Sequence, residues 1–315
     1  MADLKPVAPE PFDLAQDRPV EGLRIGFIGA GRLGSALALA MQQAGLPVRA
    51  VASARTESAQ RMAARLPCCE AVSVRQVADG CDLVFIATPD AAIEPTAAAL
   101  TWRAGIGVVH CSGATEVDAL RHAREQGAAI GGFHPMQTFA DPDAAARSLP
   151  GCTITIEAQD ATLDRQLVAI ATALGCAVNR LPSGPEGMRA RYHAAAGYAS
   201  QFINVLLAEA AQVWASWGAS EADTVRALLP LVRGTLAAIE SNGIAGGMPG
   251  PVSRGDVSTV AKHMAAMSAL GDPVLASYRL LCDRTVPLAL ARGGIDAQTA
   301  QRLRAILGTD GAPSR

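Results

Sequence analysis

The fold is decided by the stretch Ile25-Gly26-Phe27-Ile28-Gly29-Ala30-Gly31-Arg32-Leu33-Gly34, where an apolar run leads directly into a Gly-x-Gly-x-x-Gly motif and a helical segment. In this context the first glycine makes a tight turn, and the second lets a pyrophosphate approach the backbone. The third allows the helix to pack closely on the strand. The motif predicts a dinucleotide site that includes Gly29, Gly31, Arg32, Leu33 and Gly34; the alternative is a glycine-rich turn without a ligand.

Outward from this motif, short apolar runs alternate with helical segments as far as about residue 179. The predicted strands are Arg24–Ile28, Val48–Ala52, Ala71–Ser73, Leu83–Ala87, Val108–Cys111, Ala129–Phe133 and Thr153–Glu157. Buried strands that alternate with helices are typical of an α/β fold with a parallel, doubly wound sheet. We therefore predict a Rossmann domain over residues 23–182, preceded by a flexible, proline-rich tail at residues 1–22.

The pattern changes after a segment rich in proline and glycine at residues 181–185, which we interpret as a linker. No convincing strand follows it. Long segments with helical periodicity take over, at residues 186–217, 221–241, 257–270, 273–292 and 297–307. We predict an all-α domain over residues 183–310 that contributes to substrate binding and forms a homodimer through its apolar helix faces.

Composition narrows the classes of function. Acidic and basic residues nearly balance, with a formal charge of -2, so bulk electrostatics favours neither nucleic acid nor an anionic membrane as a partner. The chain has only two lysines, Lys5 and Lys262, and Lys5 lies in the tail. Lysine-based covalent or general-base chemistry therefore has one candidate in the folded part.

The cysteines and the apolar segments indicate the cellular compartment in which we expect the protein. Seven cysteines occur without a C-x-x-C pair or a zinc spacing, so we expect reduced core residues and no metal site. The N-terminal residues carry acids and prolines where a signal peptide has an apolar region, and the most apolar long segment contains Gln201, Asn204, Glu209 and Gln212. These features predict a cytoplasmic protein.

The residues after the second strand indicate which dinucleotide is bound. Sites for NAD place an acidic residue there to accept a hydrogen bond from the ribose, whereas this chain has Ser53-Ala54-Arg55. A hydroxyl and a guanidinium bind a phosphate, so we predict NADP(H), held by Ser53 and Arg55 with help from Arg32. The alternative for Arg55 is a solvated surface residue.

Polar residues follow other predicted strands, where an open α/β sheet binds its ligand. Thr88 and Pro89 are expected to border the cofactor, and the adjacent Asp90 either lies beside it or caps the next helix. Ser112 follows the fifth strand and is placed to meet a ligand, whereas His110 lies within that strand and reads as a satisfied core residue.

His134 directly follows the sixth predicted strand, and the proline after it holds it in extended geometry. A histidine there can exchange a proton with a substrate during hydride transfer; the alternative is a structural hydrogen bond to the backbone. In the helical half, His193, Gly197 and Gln201 are spaced to share one face of a helix.

A second cluster, Gly250-Pro-Val-Ser-Arg-Gly-Asp256, supplies Arg254 as an anchor for a substrate carboxylate. Asp256 in the same cluster has the ready alternative role of a helix N-cap.

The segments G-A-G-R-L-G, T-P-D, H-C-S-G, G-x-H-P-M-Q-T-F, Y-H-A-A-A and G-P-V-S-R-G-D together resemble a family of bacterial Rossmann-like proteins over about residues 22–290. Members carry a C-terminal helical domain of unknown function and are labelled NADP-dependent oxidoreductases. The family is related to deazaflavin-dependent NADP oxidoreductases, pyrroline-5-carboxylate reductases, β-hydroxyacid dehydrogenases and prephenate dehydrogenases. By resemblance to the last group, Ser112 and His134 would contact the reacting hydroxyl or carbonyl.

The resemblance does not carry over everywhere. The β-hydroxyacid dehydrogenases use a lysine early in the long interdomain helix, where this chain has Arg189 and His193. Gln201 stands where the family is expected to show Asn.

These observations predict an NADP(H)-dependent oxidoreductase that transfers a hydride to or from a small polar, carboxylate-bearing substrate. His134 or His193 would exchange the proton, Ser112 would orient the substrate, and Arg254 and Gln201 would bind it. Two alternatives stay open: a deazaflavin as the partner of NADP, and a dinucleotide-binding sensor or scaffold without turnover.

Overall fold

The structure is a computed structural model that describes residues 20–182 and 187–309. Most of the predicted tail (1–22) and part of the predicted linker, residues 183–185, therefore lie outside the described residues. The strands are β1 (Ile25–Ile28), β2 (Val48–Ala52), β3 (Glu70–Ala71), β4 (Leu83–Ile86), β5 (Gly107–His110), β6 (Ala129–Pro135), β7 (Thr153–Ala158) and β8 (Ala177–Arg180). They form one sheet in the order β3-β2-β1-β4-β5-β6-β7-β8. The α/β fold with its largely parallel sheet is confirmed.

Two features of the sheet differ from the prediction. Strand β7 runs antiparallel to β6, although every other pair of neighbouring strands is parallel. Strand β8 is an additional edge strand that was not predicted from the sequence. Its four residues are all exposed, so it lacks the buried apolar run by which the other strands were recognised.

The helices of the first half are α1 (Arg32–Gln43), α2 (Thr56–Ala63), α3 (Val74–Gly80), α4 (Asp90–Ala98), α5 (Arg121–Glu125), α6 (Pro142–Ser148) and α7 (Ala161–Ala173). Those of the second half are α8 (Met188–Tyr198), α9 (Gln201–Ala215), α10 (Glu221–Gly246), α11 (Val257–Ser268), α12 (Asp272–Ala291) and α13 (Ala297–Leu307). After Arg180, every regular element among the described residues is helical. None of the helices within the described ranges is long and apolar enough to cross a membrane.

The core of the first half covers both faces of the sheet. Strands β1, β4 and β5 are buried at every position, as their continuous apolar sequences predict. The rings of Phe27 and Phe85 stack with their centroids 5.1 Å apart, and Phe133 meets Phe85 edge-on at 5.4 Å. This packing fixes the strands whose carboxyl ends carry the candidate site.

The chain forms two compact units, of which the first ends at Gly197 and the second begins at Tyr198. Helix α8 therefore packs with the sheet. The domain boundary predicted at residue 182 borders residues outside the described ranges and stays a prediction. The second unit has its own apolar core, formed by Val252, Val260, Cys282, Val286, Ala300, Leu303 and Leu307.

The helix predicted over residues 186–217 is wrong as a single element. It is interrupted before Gln201, because Ser200 has non-helical backbone angles (φ -131°, ψ -91°). His193 and Gly197 lie on α8, whereas Gln201 is the first residue of α9. The three residues therefore do not share one helix face.

Candidate functional site

The Gly-x-Gly-x-x-Gly loop has the geometry that its sequence predicts. Gly29 has a positive φ of 120°, and a Cβ there would lie 2.5 Å from the carbonyl oxygen of Ala87. A Cβ on Gly34 would lie 2.2 Å from the carbonyl oxygen of Gly29, so a side chain would push α1 away from β1. Gly31 is different, since a Cβ there would meet nothing within 4 Å. Two glycines thus permit close packing, and the middle one leaves open space for a ligand.

This loop lies at the point where the strand order reverses direction, between β1 and β4. Open α/β sheets bind ligands in the crevice at such a point. Helix α1 begins there without a side-chain cap and without an acidic residue in its first turn, so its free N–H groups suit an anion. Leu33 follows on α1 and packs half-buried against the core.

The opposite wall of this crevice follows β4. The hydroxyl oxygen of Thr88 is buried and has no hydrogen-bond partner within the described residues. A buried hydroxyl without a partner is costly, so a ligand group there would be favourable. Pro89 is the N-cap residue of α4 and Asp90 is its first residue. The interpretation of Asp90 as the helix cap is therefore wrong, because the cap position belongs to Pro89.

A cavity of about 340 Å³ opens beside Gly31. Four arginines contribute to its wall, together with Ser58 and several apolar atoms; they are Arg32, Arg55, Arg61 and Arg65. Arg65 also forms an ion pair with Asp143 of α6. The cavity is therefore strongly basic and suits a phosphate group.

Only two of the three predicted phosphate-binding residues line this cavity. Arg32 and Arg55 line the cavity, whereas Ser53 follows β2 half-buried and does not line it. Arg61, Arg65 and Ser58 were missed, although their spacing on and just after α2 is a signal the sequence contains.

A second cluster of polar side chains lies at the same edge of the sheet. Ile28, Ile86, His110 and Gly132 are register partners across β1, β4, β5 and β6, so the segments that follow them emerge side by side. These segments carry the glycine loop, Thr88, Ser112 and His134. The carboxyl ends of four parallel strands thus present the glycine loop and Thr88, together with the candidate proton-transfer residues, on one edge.

The cluster unites three of the predicted residues. His134 and His193 face each other with ring centroids 5.6 Å apart, and His134 Nδ1 lies 2.9 Å from the hydroxyl oxygen of Tyr192. A Cβ on Gly113 would lie 2.8 Å from His134 Nε2 and 2.4 Å from His193 Cδ2, so the loop after Ser112 touches both rings. Ser112 is buried, and its hydroxyl oxygen accepts hydrogen bonds from the backbone N–H groups of Ala114 and Thr115 at 3.1 and 2.9 Å.

Burial sets the protonation of His134. Desolvation is the largest cause and lowers its pKa from 6.5 to about 4, with further lowering by the nearby His193 and Arg189. His134 is therefore neutral near pH 7. Tyr192 has a raised pKa, mainly through burial, against which a hydrogen bond with Thr155 acts.

A buried arginine holds α8 against the sheet. The Arg189 side chain is 0% exposed; its Nη1 donates to a carboxylate oxygen of Glu157 at 2.8 Å, and its Nη2 donates to the carbonyl oxygen of Ser112 at 2.5 Å. Its guanidinium lies over Gly132, where a Cβ would be 2.9 Å from Nη1. Arg189 thereby positions the segment that carries Tyr192 and His193.

His110 only partly matches its interpretation as a satisfied core residue. It is 0% exposed, but neither ring nitrogen has a hydrogen-bond partner among the described residues. Burial, aided by Arg189, lowers its pKa to about 3, so it is held neutral. The core position is confirmed, whereas the ring nitrogens are not satisfied by any hydrogen bond of good geometry, although an interaction with the backbone of Glu116 partly offsets the lowering of the pKa.

The predicted substrate-binding residues lie in the second unit. Arg254 ends a short 3-10 helix and is exposed, as is Gln201 at the start of α9. The neighbouring Asp256 is the N-cap of α11 and accepts a hydrogen bond from the backbone N–H of Thr259 at 3.0 Å. The capping interpretation of Asp256 is confirmed, and the roles of Arg254 and Gln201 stay predictions.

No group of three or more His, Cys, Asp or Glu within the described ranges could hold a metal ion. This edge of the sheet presents a basic cavity, a buried serine and a neutral histidine paired with a tyrosine.

Two family models match the chain. One describes a Rossmann-like domain and matches residues 9–135; the other describes a domain of unknown function, DUF2520, and matches residues 152–285. No curated protein matches the chain.

Solved structures show the same fold. BF3122 from Bacteroides fragilis, assigned as an NADP oxidoreductase, is 24% identical with a TM-score of 0.67, over 85% of this chain and 99% of that chain. Protein TM1727 from Thermotoga maritima is 20% identical with a TM-score of 0.69, over 85% and 99% of the two chains. A reductive aminase from Aspergillus terreus, in a complex that contains cyclohexanone and allyl amine, is 18% identical with a TM-score of 0.59, over 90% and 99%. At these identities the likeness shows the fold alone.

Proposed function

Because the chain joins a Rossmann-like domain to a DUF2520 domain, we propose that it is an NADP(H)-dependent oxidoreductase acting on a small polar substrate. The observation that carries the proposal is the open space at Gly31, at the amino end of α1, beside a cavity walled by arginines. The first feature suits a pyrophosphate and the second suits the additional phosphate of NADP.

The residues present fit this coenzyme. The backbone N–H groups at the start of α1 would hold the pyrophosphate, and Arg32, Arg55 and Arg61 would hold the ribose phosphate. The unpartnered hydroxyl of Thr88 would gain a hydrogen-bond acceptor. When bound, NADP(H) supplies or accepts the hydride. Several solved relatives in fold are described with NADPH or NADP, which supports the choice.

The chain's own contribution to the chemistry lies with Ser112 and His134. His134 would exchange a proton, or share a hydrogen bond, with the substrate oxygen or nitrogen next to the reacting carbon. The oxygen of Ser112 already accepts two backbone hydrogen bonds, so its hydroxyl hydrogen is free to orient the same substrate atom. His193, exposed beside His134, is the second candidate for proton exchange.

Substrate binding and assembly complete the proposal. Arg254 and Gln201 would bind the substrate, with Arg254 on a carboxylate. The chain would act as a homodimer through its helical domain, because α9 is rich in apolar residues and yet has none that is buried. Replacing its exposed Leu206 with Glu should then shift the protein to monomer in analytical ultracentrifugation, with unchanged circular dichroism.

Calorimetry of coenzyme binding tests the proposal. We expect NADPH to bind at least about 10-fold more tightly than NADH, a difference of about 1.4 kcal/mol. Arg55→Ala should remove most of that preference. Arg75→Ala is the matched control, because Arg75 is an arginine of α3 whose side chain is 81% exposed and does not line the cavity. Equal affinity for the two coenzymes, or binding of neither, would contradict the proposal.

Turnover is tested by loss of NADPH absorbance across a panel of carbonyl and imine compounds, with a deazaflavin included. We expect turnover with a member of the panel and a decrease of about 100-fold in His134→Ala. Coenzyme binding without turnover on any of these compounds would instead favour a sensor or scaffold.

A further inference from the structure

A row of polar side chains leads from exposed Asn179 at the edge of the sheet, through buried Thr155 and half-buried Tyr192, to His134. Asn179 on β8 donates from Nδ2 to the hydroxyl oxygen of Thr155 on β7 at 3.0 Å. Thr155 is 0% exposed and is the register partner of His134 in the antiparallel pair of β6 and β7. Tyr192 interacts with Thr155 and places its hydroxyl oxygen 2.9 Å from His134 Nδ1. The row therefore runs Asn179, Thr155, Tyr192, His134.

The direction of donation along this row follows from counting hydrogens. Thr155 accepts from Asn179, whose amide nitrogen can only donate, so the Thr155 hydroxyl hydrogen is available for the Tyr192 oxygen. The Tyr192 hydrogen is then directed to His134 Nδ1. If the last two bonds ran the other way, Thr155 would accept twice and its own buried hydrogen would lack an acceptor, at a cost of about 1–3 kcal/mol.

We propose that Tyr192 is a positioning residue that holds His134 in the tautomer with its hydrogen on Nε2. Its Nδ1 is then the acceptor for Tyr192, and the Nε2–H faces the loop at Gly113 beside His193. Two ionisable groups face His134, His193 and Arg189, and both disfavour an imidazolium there. A neutral ring with a fixed Nε2–H presents a hydrogen-bond donor to the substrate.

This tautomer selects the chemical class of substrate, and that part of the inference rests on the proposed function. A donor at Nε2 matches an acceptor lone pair on a carbonyl oxygen or an imine nitrogen, so it polarises the bond to be reduced. If the proton transfers, it passes from Nε2 to that atom while the Tyr192 proton moves to Nδ1, which keeps the ring neutral. A proton from solvent then reaches Nε2 while the Nδ1 proton returns to the tyrosinate oxygen, so that the Tyr192 hydroxyl and the Nε2–H tautomer are both restored.

The tautomer is measured directly by NMR of protein carrying ¹⁵N-labelled histidine, at neutral pH and without coenzyme. The His134 signals are assigned by their loss in His134→Gln. We expect the Nε2–H pattern in the wild type and the loss of that preference in Tyr192→Phe. Tyr198→Phe is the matched control, because Tyr198 ends the same helix with an exposed ring that contacts Phe202. An Nδ1–H pattern in the wild type, or an unchanged pattern in Tyr192→Phe, would overturn the inference.

Two further measurements distinguish this inference from a purely structural role of Tyr192 and from the proposed function. Thr155→Val should weaken the preference and Thr155→Ser should restore it, which a merely structural role of Tyr192 does not predict; these variants also serve if Tyr192→Phe does not fold. With NADPH and a reducible substrate, Tyr192→Phe should lower kcat about 10-fold or more with little change in KM. If the tautomer is as expected but no compound is reduced, the proposed function fails while the assignment of Tyr192 stands.

Discussion

Replacing Gly132 with alanine should break the attachment of α8 to the sheet. The new methyl group would lie 2.9, 3.1 and 3.2 Å from Nη1, Nη2 and Cζ of Arg189, closer than these atoms can tolerate. The end of an arginine side chain can usually move aside, but this one is fully buried and bonded to Glu157 and to the backbone of Ser112. To avoid the new methyl group, the guanidinium must break one or both of these hydrogen bonds.

The cost follows from those two bonds. Each charge-assisted hydrogen bond contributes about 1.5–3 kcal/mol, so we expect Gly132→Ala to lower the free energy of unfolding by about 3 kcal/mol. Because Arg189 positions the segment with Tyr192, the substitution should also disturb the hydrogen bond to His134. The assays are urea denaturation followed by circular dichroism and the histidine NMR spectrum described above.

Gly80→Ala is the matched control for this experiment. Gly80 ends α3 without a positive φ, and a Cβ there would meet nothing within 4 Å. Alanine should cost nothing at that position, since it favours helix over glycine. A Gly132→Ala protein that is as stable as the Gly80→Ala protein, within about 0.5 kcal/mol, would refute the reasoning that the guanidinium is fixed.

Three further perturbations give sharp expectations. Acidification from neutral pH to about pH 4 should lower the free energy of unfolding by about 3 kcal/mol through His134. The reason is that the folded pKa of His134, about 4, lies below the unfolded value of 6.5, so the unfolded chain takes up the proton first. In urea denaturation, His134→Gln should lose less stability over the same pH range, and equal losses in the two proteins would contradict the lowered pKa. Ser73→Ala should lower the free energy of unfolding by about 1 kcal/mol, because it removes a capping box in which the Gln76 N–H donates to the serine oxygen. Ser73→Asp should keep most of the wild-type stability, because a carboxylate oxygen can accept the same hydrogen bond. Gly31→Ala should keep the melting temperature but weaken NADPH binding in calorimetry. Gly34→Ala should lower both the melting temperature and the affinity for NADPH, since only the Cβ at Gly34 meets backbone, at 2.2 Å. Equal behaviour of the two variants would contradict the assigned roles of the glycines.

Most of the first unit could be predicted because its signals are local. A buried strand between helices is a continuous apolar run, and the glycine loop is six consecutive residues whose spacing already implies a positive φ, an open position and a close contact. The strand that was missed, β8, is exposed at all four positions and carries no such signal. The direction of β7 was also not predictable, because the apolar pattern of a strand is the same whichever way it runs.

The candidate site likewise contains some features with a local sequence signal and others without one. The glycine loop, Arg55 near it, and Ser112 directly after its strand followed from the sequence, since each depends on neighbours along the chain. His134 was expected just after the sixth strand, which instead continues through it to Pro135 and pairs it with Thr155. The tertiary structure alone decided that Tyr192 meets His134, 58 residues away, and that Arg189 reaches Ser112, 77 residues away. Contacts between such distant residues depend on how helices pack on the sheet, and no periodicity or spacing in the sequence encodes that packing directly.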